Sequence, residues 1–337
     1  MTKSIIPFII IVLISLSSCW PIHKDRDGKF MEEVQNLEDF NSEFDDYNSA
    51  LPMNRFGEFA LSFSSTRGQN RLYQLTFFPV SINYDMDKKK AFIQRFQSKN
   101  GVQLDIQSDF AREEKLVGIA PNDANVFGPA YYGYRSFRYG SDPQNALFLW
   151  ADDAGGDLDI KYAYRINGEQ KGPFNFDLIN SEFDDAYPTI NSRGNSILFC
   201  SNRDGDFDIF ELKMPELTGT DFNLEKLIHP ETWELIKKDN LNSPADDKCP
   251  SYDMTGSDFI TMVSDRPGGE GGFDIYYSTP SGEPQNAGKR INTAYNEYRP
   301  ILPDLPNFSY YMMIFSSDRP GGMGGYDLYA TGLKNRW

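Results

Sequence analysis

The sequence predicts an all-β protein in which one four-stranded unit is repeated five times. Three observations predict it. Phenylalanine and tyrosine are abundant, 26 and 19 of 337 residues, and aromatic side chains fit a pleated, half-buried surface. A long phrase occurs twice almost unchanged: residues 262–276 read MVSDRPGGEGGFDIY and residues 315–329 read FSSDRPGGMGGYDLY. A second phrase, of the form Asn-Ser-x-x-Asp-Asp, recurs upstream of such stretches, at 41–46, 180–185 and 242–247. Self-similarity at a fixed period is the signature of a repeat architecture.

The N-terminus stands apart. Lys3 precedes an apolar run over residues 5–16, too short to span a bilayer and right for the core of a signal peptide. The run ends in Leu16-Ser17-Ser18-Cys19, which resembles a bacterial lipobox. The expectation is a signal over 1–18, a lipid on Cys19 and a polar tether over 19–29. Lys24-Asp25-Arg26-Asp27 faintly resembles the charged signals of surface-exposed Bacteroidetes lipoproteins, with a solvated linker as the default. The formal net charge of −16 argues against nucleic acid, or an anionic membrane surface, as a partner held through the protein's own charge.

Aligned on the long phrase, five copies emerge: 63–67, 149–153, 199–203, 262–266 and 315–319. Each is followed by a turn and a return strand. Two copies are degenerate: Arg71 stands for the Asp of the return strand in the first, and Asp153 for the Arg in the second. The glycines of Pro320-Gly321-Gly322 and Gly324-Gly325 are expected to supply the positive φ values of a hairpin. The upstream phrase also occurs at 292–300 and loosely at 122–129, and its closing Pro is expected to start a strand. Each unit thus reads as inner strand, second strand, hairpin, third strand and outer strand.

Such units closing on one another predict a five-bladed β-propeller of four-stranded antiparallel blades over residues 30–337. The last copy leaves little room for an outer strand, so residues 30–37 are predicted to complete the last blade and close the ring. Two insertions interrupt the pattern, near 79–121 and 213–240. The first reads as a helix over 87–100 stopped by Gly101, or as a strand pair; a degenerate sixth blade hidden there is the alternative architecture. Residues 104–116 show no clear period. Residues 230–238 read as a short helix with Pro230 at its first position.

Catalytic constellations are scarce. The two histidines are His23, in the tether, and His229, and neither belongs to a recognisable nucleophile, zinc or phosphate motif. Acid pairs recur at one point of the repeat: Asp45-Asp46, Asp184-Asp185 and Asp246-Asp247, with Asn296-Glu297 in the last copy. They read as a ring of carboxylate–guanidinium and turn contacts with Arg67, Arg203, Arg266 and Arg319, as a cation site, or as a glycosidase pair. The first reading is the economical one, because a feature present in most units belongs to the unit. Asp265, Arg266, Asp274, Asp318, Arg319 and Asp327 are accordingly assigned as structural repeat positions, and no catalytic residue, metal or cofactor is assigned. Tyr132, Tyr134, Arg135 and Arg138, in an aromatic and basic cluster, are the candidate partner-binding residues. Cys200 and Cys249 fall in adjacent units; two buried free thiols are expected, although an oxidising compartment permits a bridge.

Ser-Asp-Arg-Pro-Gly-Gly-x-Gly-Gly-[Phe/Tyr]-Asp-[Ile/Leu]-Tyr, with its Asn-[Ser/Thr] phrase upstream, resembles the TolB-type β-propeller repeat in the form common in Bacteroidetes envelope proteins. The resemblance covers residues 30–333 and is strongest in units three to five. It implies a non-enzymatic interaction module. The expected function is a lipid-anchored binding or scaffold subunit of an outer-membrane or cell-envelope complex, secretion machinery included, facing the periplasm or the cell surface. Its partners would be envelope proteins. No stretch reads as the wall-binding or hydrolase domain that accompanies some relatives. A carbohydrate-binding or glycoside-hydrolysing propeller is the alternative.

Overall fold

The computed structural model describes residues 32–52, 59–85, 90–96, 104–132, 145–214, 229–254, 257, 259–303, 305 and 311–333. The predicted signal, Cys19 and the tether lie outside the described residues. In chain order, β1 (Gln35–Asn36) precedes the first blade, β2 (Asp46–Ala50), β3 (Phe59–Ser65), β4 (Gln74–Asp85) and β5 (Lys90–Arg95). Helix α1 (Leu104–Val117) leads to the second, β6 (Val126–Tyr132), β7 (Ala146–Asp152), β8 (Asp159–Ile166) and β9 (Glu169–Asn175). The third is β10 (Asp185–Ile190), β11 (Ser196–Ser201), β12 (Asp208–Lys213) and β13 (Glu234–Lys237). The fourth is β14 (Asp247–Tyr252), β15 (Ile260–Ser264), β16 (Asp274–Ser278) and β17 (Gln285–Asn286). The fifth is β18 (Glu297–Ile301), β19 (Tyr311–Ser317) and β20 (Asp327–Leu333), completed by β1 from the other end of the described chain.

Every sheet is four-stranded and antiparallel, so the chain is a five-bladed β-propeller. The closing strand falls where the sequence places it, though only Gln35 and Asn36 form ladder pairs, with Ala330 and Tyr329. Burial falls from the axis outward. All residues of β7 are buried, whereas all but one residue of β9 are exposed. Second strands therefore read as nearly continuous apolar runs, whereas inner strands, though buried, mix polar and apolar residues, and outer strands carry the polar residues that discourage edge pairing.

Three local expectations are corrected. The stretch 79–121 holds no sixth blade among its described residues. β4 runs on to Asp85 and pairs with β5, from Val80↔Arg95 to Asp85↔Lys90. Of the two readings of 87–100, helix or strand pair, the strand is the one formed in its described part, because Ala91-Phe92-Ile93 finds a free sheet edge, and pairing there outweighs weak local helix preference. The helix lies instead at 104–117, where its end is fastened by burial. Leu116 and Val117 are buried, and Glu113 pairs with Arg165 of β8 at 2.9 Å, both 2% exposed. The expected helix over 230–238 is likewise a strand: β13 pairs with β12 and completes the third blade. A helix that short does not sustain itself, whereas an unpaired blade edge offers it four partners.

The proline of the upstream phrase does not start a strand. Pro129, Pro188, Pro250 and Pro300 lie inside the inner strands, where the ladder register shifts in each blade. The residue before each proline has a positive φ: Gly128 at 58°, Tyr187 at 55°, Cys249 at 52° and Arg299 at 45°, with Asn48 at 55° in the first blade. A bulge of this kind tolerates a missing N–H and re-aims the side chain that carries it. The result is a ring of five bulge residues around the axis, four of which carry re-aimed side chains.

Candidate functional site

The loops at the start of the inner strands build a repeated clasp. In four blades an arginine Nη2 meets the second residue of the acid pair: Arg67–Asp46 at 2.5 Å, Arg203–Asp185 at 2.6 Å, Arg266–Asp247 at 2.6 Å and Arg319–Glu297 at 2.9 Å. Each arginine Nε donates to the serine two residues earlier, and the same Nη2 donates to a loop carbonyl, that of Phe40, Ile179, Leu241 or Ile291. The carboxylate's remaining capacity accepts from Ser42, Ser181, Ser243 or Thr293. All four carboxylates are fully buried, a position that is stable only with the charge paired and hydrogen-bonded. Burial raises the Glu297 pKa in spite of Thr293 and Arg319.

The first residue of each pair reaches the preceding blade. Asp45, Asn125, Asp184, Asp246 and Asn296 accept from the backbone N–H of Tyr326, Tyr73, Leu158, Phe207 and Phe273, at 2.9–3.0 Å. The asparagine that opens the phrase does the same one step along. Asn41, Asn180, Asn242 and Asn292 each accept from and donate to one backbone residue of the previous return strand, Leu328, Ile160, Ile209 and Ile275. The paired acids thus divide the labour: one binds within the blade, the other between blades.

The remaining assigned positions also sit in turns. Asp265 accepts from the Asp246 N–H, and Asp318 from the Asn296 N–H and Nδ2. Asp274 accepts from the Glu270 N–H at 2.5 Å and from Asn286 on the outer strand; Asp327 accepts from Gly324 N and from Asn36 on β1. The glycine repeat needs its glycines for two reasons. Only Gly268 and Gly321 have a positive φ, 96° and 90°. A Cβ at Gly271 would run into the Thr293 carbonyl, and one at Gly324 into the Phe44 carbonyl, each belonging to the next blade.

The two degenerate units depart from the sequence alignment, the second by one residue in its hairpin phrase and the first by three in its return strand. Asp46 faces Ser65, and Val126 faces Asp152, so Asp152 occupies the serine position and Ala154 the arginine position. Ser65 faces Gln74, which therefore stands for the return-strand Asp in place of Arg71. In the second blade the carboxyl has moved to the second strand, where Asp152 accepts from Trp150 Nε1 at 2.7 Å and has no arginine partner among the described residues. Burial raises its pKa, with Trp150 and Lys161 opposing.

Of the candidate partner-binding residues, Tyr132 is half-buried at the end of β6, where its hydroxyl packs against Gly194 in the third blade. Burial pushes that hydroxyl up to about 12. Tyr134, Arg135 and Arg138 lie outside the described residues. Cys200 and Cys249 are free and buried, and burial pushes the Cys249 thiol up to about 12. Such thiols are packing groups rather than nucleophiles. His229 is exposed.

One residue at the axis escaped the sequence reading. Arg299, on β18, is buried at the bulge position. Its Nη1 donates to the carbonyls of Tyr187 at 3.0 Å and Pro250 at 3.3 Å, and its Nη2 to those of Pro129 at 3.2 Å and Pro188 at 2.9 Å. One guanidinium in the fifth blade thereby ties the second, third and fourth. Its Nε has no partner among the described residues, and burial lowers its pKa. The available signal was a charged residue at a position otherwise filled by Asn48, Gly128, Tyr187 and Cys249. Above Arg299, Tyr47 packs against Tyr298 and Tyr326, with ring centroids 5.2 and 5.0 Å apart. Below it a pocket opens on the face opposite the clasps, lined by Ala50, Ala130, Thr189, Ser251 and Ile301 at equivalent positions of the five inner strands.

Comparison with solved structures finds matches of low identity. TolB from Acinetobacter baumannii is 12% identical, with a TM-score of 0.37, over 88% of this chain and 65% of that one. A protein of unknown function from Dyadobacter fermentans is 12% identical, with a TM-score of 0.44, over 91% and 83%. An endo-arabinase from Bacteroides thetaiotaomicron is 12% identical, with a TM-score of 0.46, over 91% and 98%. The chain spans about two thirds of the length of the TolB structure. No family model and no curated protein sequence matches the chain.

Proposed function

We propose that the protein is a lipid-anchored, non-enzymatic binding or scaffold subunit of a bacterial envelope complex. One observation carries the non-enzymatic part: the carboxylates that recur around the ring are committed to the ring. Asp46, Asp185, Asp247 and Glu297 are each held by an arginine and by a serine or threonine. A glycosidase needs two carboxyl groups free to face one bond. The described lining of the axial pocket contains none, and consists of small and apolar repeat-equivalent residues with Arg299. The anchor rests on the Leu16-Ser17-Ser18-Cys19 sequence.

Extraction of the native protein in mild detergent tests the reading. Co-purification of a defined set of envelope proteins is expected. Recovery as a lone monomer that hydrolyses glycans would replace this function with the carbohydrate-active one. Cys19→Ala is expected to release the protein from membranes, and unchanged retention would refute the anchor.

A further inference from the structure

Five large apolar side chains are strongly exposed among the described residues, and three of them stand on the clasp face: Phe183 at 42%, Tyr295 at 44% and Met323 at 51%. Phe183 and Tyr295 occupy one point of the repeat, directly before the acid pair or its Asn-Glu equivalent, and Phe44 is their counterpart in the first blade. The three differ in one respect. Phe44 is half-buried, with the Arg71 guanidinium 3.9 Å from its ring centroid. No cation covers Phe183 or Tyr295 among the described residues. Nearer the axis the same pairing recurs: Lys248 Nζ lies 4.2 Å from the Phe207 ring centroid and 5.0 Å from that of Phe273. Where the chain supplies a cation to a ring on this face, the two pair, and the ring's negative π-face is the reason.

The charge of the face points the same way. Glu43, Glu182 and Asp265 are exposed, with no cation paired to them among the described residues. The lysines that reach this side are paired, Lys237 with Asp204 and Asp208, Lys248 with Asp246 and Lys289 with Glu270. Such a face repels a second copy of itself, an anionic membrane and nucleic acid, and attracts cations. The chain leads into β1 from the other side. Glu32 bonds Thr331, toward the end of β20 far from the clasps, so this attachment leaves the face uncovered.

We infer that the clasp face docks a basic segment of a protein partner, whose arginine or lysine side chains cap Phe183 and Tyr295 as Arg71 caps Phe44. The rings supply the seats, and Glu43 and Glu182 supply the attraction that steers the segment onto them. The inference rests on the proposed binding role and adds the face and the chemistry of what it binds.

The probe is a fluorescein-labelled peptide of alternating arginine and glycine, titrated against the intact protein by anisotropy. The same peptide with citrulline for arginine keeps the planar head and removes the charge. Saturable binding of the arginine peptide is expected, weaker at high salt, with the citrulline peptide about tenfold weaker or more. Phe183→Ala with Tyr295→Ala is expected to weaken the arginine peptide by about fivefold to thirtyfold, the range of two exposed cation–π contacts. Thermal stability should not change, because both rings face solvent. Trp233→Ala removes an exposed ring from the far end of the third blade and should leave binding as it is. Absence of saturable binding by the arginine peptide, equal binding of the citrulline peptide, undiminished binding by the double variant, or an equal loss in Trp233→Ala would each overturn the inference. The double variant also separates this failure from that of the binding role. Envelope proteins that still co-purify with it would remove the clasp face and leave the role standing, whereas a lone monomer that hydrolyses glycans would remove the role.

Discussion

Arg299 donates from Nη1 to the Tyr187 carbonyl at 3.0 Å, although the two residues stand in blades that are not neighbours, the fifth and the third. The bond crosses the axis, and so links blades that share no sheet edge. Removing the side chain leaves four buried carbonyls without a donor, and each such acceptor costs about 1–3 kcal/mol when it is not re-paired. Arg299→Ala is therefore expected to lose at least about 3 kcal/mol in denaturant unfolding. Arg299→Lys should recover little, because one ammonium cannot match the fork. A loss below about 1 kcal/mol would show that the tie is incidental.

The clasp makes a coupled prediction. Arg203→Ala strands the fully buried Asp185 carboxylate and is expected to cost about 3–5 kcal/mol. Arg203→Ala with Asp185→Asn should cost less than the single change, since the amide carries no charge and still accepts from Ser181. The coupling expected from the double-mutant cycle is about 1–3 kcal/mol. Strict additivity would mean that the pair contributes nothing as a pair.

The two roles of glycine separate experimentally. At Gly321 the φ is 90° and a Cβ would meet open space, so the difficulty is backbone strain alone. At Gly324 it is the Phe44 carbonyl of the next blade. Gly321→Asn is expected to be tolerated better than Gly321→Ala, because asparagine enters positive φ more readily. Gly324→Asn should be no better than Gly324→Ala, each costing about 1–3 kcal/mol through overpacking. Thermal unfolding of the four variants gives the ranking, and an asparagine rescue at Gly324 would contradict it.

Asp152 governs a pH dependence. Its pKa is raised in the fold, so the native state keeps the proton at pH values where the unfolded chain has lost it. The stability it contributes is greatest below the ordinary aspartate range, near about pH 4, and is lost as pH rises through the raised value. Asp152→Asn is expected to remove that loss. Its stability relative to the unmodified protein should grow between about pH 4 and pH 7; a constant or shrinking difference would contradict the assignment.

Ring closure depends on a short strand. Asn36 bonds Asp327, and the Glu32 carbonyl accepts from Thr331. A chain beginning at Glu38 leaves β20 as an open edge. It is expected to unfold at lower temperature and to self-associate, as read by light scattering. An unchanged monomer would mean that three strands suffice for the last blade.

The sequence by itself determined the architecture. Repetition of the hairpin phrase set the number of blades, and the apolar runs with their intervening turns set four strands in each. The spare N-terminal segment predicted closure. These features were legible because each unit writes the same local physics five times, so variation at one copy is corrected by the others. Tertiary structure decided what each copy lacks in common. Residues 90–95 and 234–237 became strands because a blade edge was waiting for them, a fact absent from any short window. The one-residue shift in the second blade is visible only when Val126 is seen opposite Asp152. Arg299 is the extreme case. Its partners lie 49 to 170 residues away, and only closing the ring brings four carbonyls from three other blades around one guanidinium.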